Sequence, residues 1–418
     1  MKILYVTPYV PSLIRVRPYQ FIRHLARDHA VTLLTVNSPG EAVELAALGE
    51  VCRRVEVVPT TRLAQLRSCA AAALHGVPLQ AAVCQTPALR QRLMALLGQE
   101  RFDVVHIEHL RAAALGFTVP AALPAVFDAV DCISLLLRRT LAGSHCLRQR
   151  LLAALELHRT RRYEARLLGR FDRTAVTSAE DRAALLDLTP AAPVSVIPNG
   201  VDLDYFQPLS GPREPATLVF SGKMSYHANV TAVVRFVELV LPLIRRERPD
   251  VRLRIVGSQP PDGLRALARD PAITVTGYLP DIRPALGSAT IAICPITVKV
   301  GIQNKVLEAM AMGLPVVTTS AGASGLGALP GRDLLVANTP AEFAAHVGWL
   351  LASPDARSAL GRAGRRYVEA NHRWERAVSQ FEALYEEAIA SRIDQEAILV
   401  GSGYRPDGRT RRQEERQT

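Results

Sequence analysis

The chain has few aromatics and few cysteines, and it lacks the fingerprints of several large functional classes. Only 5% of its 418 residues are aromatic, and its arginines are spread through helical segments. The stacking platforms and basic stripes of a nucleic-acid binder are missing, so no nucleic-acid partner is expected. The six cysteines are Cys52, Cys69, Cys84, Cys132, Cys146 and Cys294. None forms a CxxC pair and none sits beside histidines at ligand spacing, so no metal site is expected. They read as reduced thiols of a cytosolic protein. Neither half has a G-x-G-x-x-G after its first strand, which argues against a dinucleotide oxidoreductase. No stretch reaches the roughly 18 apolar residues that span a bilayer. The N-terminal MKILYVTPYVPSL has one lysine and a short apolar run ending at prolines. It reads as a first strand and not as a signal peptide. A soluble or peripheral protein is expected.

What is present describes a globular α/β protein. The length exceeds one ordinary core and suggests two domains. Apolar residues make up 49% of the chain, in alternating strand-like and helix-like segments. The formal charge of +11 favours anionic partners such as acidic lipid headgroups or phosphorylated metabolites. A coding bias toward arginine is the plain alternative.

In the first half the strand-like runs are KILYVTPYV, AVTLLTV, RRVEVVPT, FDVVHIEHL, PAVFDAV, DRTAVTS and VSVIPNG. In the second they are TLVFSGKM, VRLRIVGS, ITVTGYL, TIAICPI, PVVTTSAG and DLLVAN, with helices such as VTAVVRFVELVLPLIRR between them. Continuous apolar runs separated by helices indicate parallel sheets covered on both faces. QPLSGPREPA, residues 207–216, is rich in Pro, Gly and charge and is the candidate linker between domains 1–206 and 217–375. Two such doubly wound sheets would face each other across a cleft at the carboxyl ends of their strands. From about 340 the chain reads as helical, and the polar tail 400–418 reads as disordered.

The segment Leu135 to Arg170 is helical in period and crowded with arginine. One reading is a basic amphipathic surface resting on anionic lipid. The other is an ordinary solvated helix pair.

The most specific stretch is KVGIQNKVLEAMAMGLPVVTT, residues 299–319. A strand precedes it, Gly301 opens a turn, and a helix is predicted from about Ile302 to Met312. Gly313 caps its end and Pro315 starts the next strand. Gly301, Asn304, Lys305 and Glu308 fall at i, i+3, i+4 and i+7, on one helix face. The helix start offers free N–H groups and a positive dipole end, and Gly301 lets a phosphate approach closely. Lys305 adds a full charge. Glu308, deeper along the helix, is placed to accept hydrogen bonds from two vicinal hydroxyls, as on a ribose. The bland alternative is a surface Lys305–Glu308 pair of little energetic consequence.

NKVLEAMAMGLPVV resembles the donor-binding motif of the family 4 retaining glycosyltransferases, which have the GT-B fold of two Rossmann-like domains. VSVIPNGVDLDYFQP (194–208) is similar to the segment that ends the family's first domain, and VFSGKMSYHANVTAVVRF (219–236) to the strand and loop that open its second. LRIVGSQP and ITVTGYLPDI also match in kind and order. The resemblance covers most of the chain and is more specific in the second half. It implies that the helix 376–399 crosses back to the first domain.

Carried over by motif, Glu308 would hold the donor ribose. Lys223, beside Gly222 in SGKM, would meet the donor phosphates and offset charge on the leaving diphosphate. Tyr278 and Leu279 would lie near the base. The chain departs from the family pattern at Val300, where a second glutamate is usual, and at Asn229, where a second basic residue is common. Lys305 is placed to replace that charge. The first loop, VPSLIRVRP, carries Arg15 and Arg17 in place of glycines, and these two arginines are candidate contacts for an anionic or lipid-linked acceptor. Asp131, with Asp128 at the same strand end, is the active-site candidate of the first domain; both also fit as helix caps. His106, Glu108 and His109 read more simply as core groups.

The implied reaction is transfer of a sugar from a UDP- or GDP-type donor to a glycan, lipid-linked or small-molecule acceptor. The resemblance implies retention of configuration, no cofactor and no obligate metal. It also implies a place in bacterial polysaccharide or glycoconjugate synthesis; together with the reduced cysteines and the basic segment 135–170, a cytoplasmic protein is expected, with a peripheral place on the inner face of the plasma membrane as one reading. A same-fold epimerase or phosphorylase is the alternative. A non-catalytic binder of nucleotide sugars is another, favoured by Val300 and Asn229.

Overall fold

The structure, a computed structural model, describes residues 1–38, 45–74, 76–143, 147–298 and 301–401. Val300 and the tail 402–418 lie outside the described residues, as does Cys146. The other five cysteines are free thiols.

The chain divides into two compact units. One holds Met1–Arg138, Arg150–Ile197 and the described residues from Val378 onward; the other holds Arg139–Gln149 and Pro198–Ala377. The segment 207–216 runs along the second unit, where Glu214 is gripped by Arg254 at 2.7 Å.

The first unit is built on strands β1 (Lys2–Thr7), β2 (Ala30–Asn37), β3 (Arg54–Pro59), β4 (Val104–Glu108), β5 (Ala125–Val130), β6 (Arg173–Val176) and β7 (Val194–Val196). They form one sheet in the order β3-β2-β1-β4-β5-β6-β7, and each pair is parallel. β4 is buried along its whole length and β1 at all but its first residue. That is what a sheet covered by helices on both faces requires, and why these strands read as unbroken apolar runs.

The second unit repeats the plan with β8 (Thr217–Ser221), β9 (Arg252–Val256), β10 (Ile273–Val275), β11 (Ile291–Cys294), β12 (Val316–Thr318) and β13 (Leu335–Val336). Their order is β10-β9-β8-β11-β12-β13, again parallel. Both units are Rossmann-like α/β domains of the GT-B kind. In each sheet the strand order reverses beside the first strand, between β1 and β4 and between β8 and β11. The connections there leave in opposite directions and open a crevice at the strands' carboxyl ends.

Two details differ from what the sequence implies. The helix expected over Ile302–Met312 is shorter, Asn304–Ala311, because Gly301 is left-handed (φ 51°) and Gln303 is non-helical. Its end is as expected. Gly313 takes φ 67°, its N–H reaches Met310 O, and Leu314 N–H reaches Ala309 O, which is a Schellman cap.

The stretch His227–Glu247 is long and apolar enough by length and composition to cross a membrane, contrary to the count of apolar runs. Phe236, Val240 and Ile244 bury it against the sheet instead. It carries a π-turn over Phe236–Val240 just before Pro242, whose ring excludes a regular helical turn.

The last helix, Trp374–Gly401, lays its later residues on the first unit. Phe381 meets Phe21 edge-on at 4.7 Å, and Arg392 pairs with Asp172 at 2.6 Å.

Candidate active site

In the second unit the polypeptide leaves β8 at Ser221 and turns through Gly222 (φ 151°) into a loop and helix. Gly222 is required twice over. Its φ disfavours any L side chain, and a Cβ there would lie 2.8 Å from Asn229 Nδ2 and 3.0 Å from Lys305 Nζ. Gly257, at the end of neighbouring β9, would put a Cβ 1.7 Å from Gly222 O. Two glycines therefore let two strand-end loops meet.

Lys305 enters this gap from the helix that follows β11. Its Nζ donates to Asn229 Oδ1 at 2.5 Å and lies 4.4 Å from the Phe220 ring centre. Asn229 Nδ2 in turn donates to Lys223 O at 2.9 Å. Asn229 thus holds the Lys305 ammonium where the resemblance expects a cation at position 229. A second basic residue there would stand against Lys305 and raise the repulsion.

Burial pulls the Lys305 ammonium below its usual range, offset in part by Cys294 and Glu308. Glu308, one turn on, is pushed up to about 7 by burial, with Lys305 opposing. No carboxylate lies within ion-pair distance of Lys305 among the described residues. A cation and a carboxyl, both partly buried, thus share one helix face beside the strand-order switch.

Asn304 accepts from Asn199 Nδ2 at 3.0 Å, which fixes the helix start. Gly301 lies two residues before the N-cap Gln303. Lys223 is exposed in the β8 loop. Tyr278 is 70% exposed after β10, two strands away from β8. The structure brings Gly222, Asn229, Lys305 and Glu308 together. It places Lys223 at the rim of that group and Tyr278 farther along the sheet edge.

In the first unit the carboxyl ends of β1, β4 and β5 gather a second set of groups. Asp128 is fully buried and takes a bidentate pair from Arg17, at 2.7 Å from Nε and 3.0 Å from Nη2. Arg17 Nη1 donates to Ile197 O. The expectation that Arg17 contacts an acceptor is therefore corrected. It is 5% exposed and all three of its nitrogens are engaged inside the core. Arg15 lies over the Tyr9 ring at 4.4 Å and is half-buried.

Glu108 accepts from Tyr9 Oη at 2.9 Å and Tyr5 Oη at 3.3 Å. Burial, with the Asp128 charge adding to it, pushes Glu108 up to about 8. Asp131 accepts from Thr177 Oγ1 at 3.4 Å and is raised to about 6 by burial and by Asp181. His106 is the core histidine the sequence suggested, stacked on Tyr5 and hydrogen-bonded to Tyr385 Oη at 2.8 Å.

His109 is different. It takes φ 65° immediately after β4, and burial lowers its imidazole to about 3, so it is neutral. Val130, at the end of the adjacent β5, has φ 66°, which is costly for a β-branched residue. Two non-glycine residues at neighbouring strand ends thus hold left-handed backbone. A lone histidine near a buried strand is more often a satisfied core group, and the sequence alone does not separate His109 from that case. The signal available was its place one residue past the strand, beside the switch point.

Residues 15–205 match the family described as Glycosyltransferase Family 4, and residues 215–353 the family described as Glycosyl transferases group 1. The MMP alpha-(1->4)-mannosyltransferase of Mycolicibacterium hassiacum is 32% identical over 47% of this chain and 48% of its own. A D-inositol 3-phosphate glycosyltransferase of Salinispora tropica is 28% identical over 54% of this chain and 53% of its own. The chain thus spans about half the length of these curated relatives.

Among solved structures, the sucrose-phosphate synthase of Thermosynechococcus elongatus superposes with a TM-score of 0.70 at 16% identity, covering 94% of this chain and 100% of that one. HepE of Anabaena, in complex with UDP and glucose, gives 0.66 at 15% identity, covering 92% and 99%.

Proposed function

Because this chain belongs to the group 1 and family 4 glycosyltransferases, we propose that it moves a sugar from a nucleoside-diphosphate sugar, of UDP or GDP type, to a glycan, lipid-linked or small-molecule acceptor with retention of configuration. The bond from the anomeric carbon to the diphosphate breaks, a bond to the acceptor oxygen forms, and the acceptor's proton leaves with the products. The hard part of such a step is charge on the departing diphosphate. Preorganised cations in a desolvated site lower its cost most, because they need no reorganisation.

The observation that carries the proposal is the Gly222–Asn229–Lys305 cluster with Glu308 one turn away. Lys305, held by Asn229, and Lys223 at the rim meet the diphosphate without a metal. Gly222 and Gly301 let phosphate oxygens approach the backbone. Glu308 accepts from the ribose hydroxyls, and Asn304 fixes the helix that presents both. Tyr278 lies toward the base.

The first unit is the acceptor unit in this reading. Asp131 and the neutral His109 are its polar groups, and Arg15 is its cation for an anionic acceptor. The test is a thermal-shift screen of nucleotide sugars followed by donor hydrolysis, with Glu308→Ala and Lys223→Ala as controls. Ligand that binds the native state must stabilise it. If no common nucleotide sugar stabilises the protein or is turned over, the proposal fails.

We further propose that the protein works on the inner face of the plasma membrane, in polysaccharide or glycoconjugate synthesis. The helix Leu147–Leu168 supports this. Leu147, Leu151, Leu152 and Leu155 are exposed by 78%, 61%, 52% and 63%, among Arg148, Arg150 and Arg159. Leucines at i, i+4, i+5 and i+8 share one helix face, and arginines beside them suit anionic headgroups.

A further inference from the structure

A cavity of about 560 Å³ opens in the second unit, away from the residues assigned above. Arg213 lines one wall, beside Gly313; Arg357, Arg362, Arg365 and Arg366 line the other, all from the helix Pro354–Asn371. Gly313 follows the C-terminal end of the helix Asn304–Ala311, whose other end carries Lys305. Eight residues at a rise of 1.5 Å separate the two ends by roughly 12 Å. A helix that follows a strand in such a sheet runs back toward the strand's amino end. The cavity therefore belongs to the edge opposite the one that gathers the donor residues.

Part of this cluster has a local explanation. Arg213 donates to Gly313 O at 2.9 Å, Arg365 to Ala311 O at 2.5 Å, and Arg357 to Leu350 O at 2.7 Å and Leu351 O at 2.8 Å. Those carbonyls are helix C-termini, where cations are favourable. Arg362 and Arg366 cap nothing. Arg362 reaches only the Ser358 hydroxyl. Arg366 makes no described hydrogen bond, and its charge acts on Asp333, which is already paired with Arg332.

Five guanidiniums share one carboxylate among the described ion pairs, Glu369 on Arg365 at 2.6 Å. The like charge of Arg357 adds to burial in lowering Arg213. Arg362 and Arg366 are exposed, so water screens much of this excess, but an anion between them would be held by planar guanidinium forks that match phosphate oxygens in pairs. The volume lies in the range of small-molecule sites.

We propose that this arginine cavity is a second anion site, which takes a ligand bearing two or more phosphate charges and is separate from the donor site. The ligand is either a soluble diphosphate ester or the phosphorylated headgroup of a lipid. Inorganic pyrophosphate is the probe for the first, and phosphatidylcholine vesicles with and without phosphatidylglycerol are the probe for the second.

The variant is Arg362→Gln/Arg366→Gln, because neither residue caps a helix. Arg366→Gln alone, which removes no hydrogen bond, is the safeguard if the double variant misfolds. Calorimetric titration of the wild-type chain is expected to show a class of pyrophosphate sites that the double variant weakens at least about tenfold, by loss of charge-assisted pairs. Lys305→Gln should leave that class in place. Loss of pyrophosphate binding identifies a soluble ligand, and loss of vesicle sedimentation without it identifies a headgroup. If both probes bind the variants as they bind the wild type, the site does not exist.

Discussion

Replacing Glu308 by glutamine should make the second unit more stable and the protein a poorer binder of its donor. An unfolded glutamate titrates near 4.5, whereas burial raises Glu308 in the folded chain to about 7. The folded state then holds its proton more tightly than the unfolded state does. Folding is therefore penalised as pH rises above 4.5, and the penalty is complete above about 7. The gap corresponds to roughly 3 kcal/mol at alkaline pH.

The substituted side chain carries no charge and escapes that penalty. The variant's advantage over the wild type should grow by about 2 kcal/mol between pH 5.5 and pH 8.5. Both tryptophans, Trp349 and Trp374, lie in the second unit, so urea unfolding followed by their fluorescence reports the unit concerned. If Glu308 holds the donor ribose as proposed, donor affinity measured by titration at pH 8 should fall at least about tenfold, since a charged acceptor of the ribose hydroxyls is removed. A site that is destabilising when empty and charged is the signature of a residue kept for a ligand. A stability difference that does not change with pH, or a variant less stable at pH 8.5, would refute the reasoning.

Three further outcomes follow from the geometry. Arg17→Met should cost about 3–5 kcal/mol in urea unfolding, because it leaves Asp128 charged and buried without its partner, and Arg17→Met/Asp128→Asn should recover much of that loss. Gly222→Ala should abolish donor binding in a thermal-shift titration and cost about 1–3 kcal/mol through strain and overlap with Asn229 and Lys305; unchanged binding would remove this loop from the site. Leu151→Ser/Leu155→Ser should reduce sedimentation with anionic vesicles and leave the melting temperature unchanged, since both side chains are exposed; equal sedimentation would count against membrane attachment.

The fold was legible because its signals are local. Each apolar run named from the sequence carries a strand, and Gly313 ends its helix with the cap the sequence implied. The span-like hydropathy of His227–Glu247 was missed because its charged residues break the apolar runs while the mean stays high. The site was legible only in part. The sequence already sets Lys305 and Glu308 side by side because they share one helix. The left-handed backbone of His109 at the end of β4 leaves no mark in composition. Arg17 was given the wrong role because its partner is 111 residues away.

The sequence by itself determined two parallel α/β units and a polar helix face after β11, for periodicity, glycine placement and capping act within a few residues. Only the tertiary structure decided what those polar groups are worth. Asn229 meets Lys305 across 76 residues, Asp128 is satisfied by Arg17, and the elements packed around Glu308 raise its carboxyl. Solvation and charge pairing depend on everything that surrounds a group, and that is settled when distant strands are brought side by side.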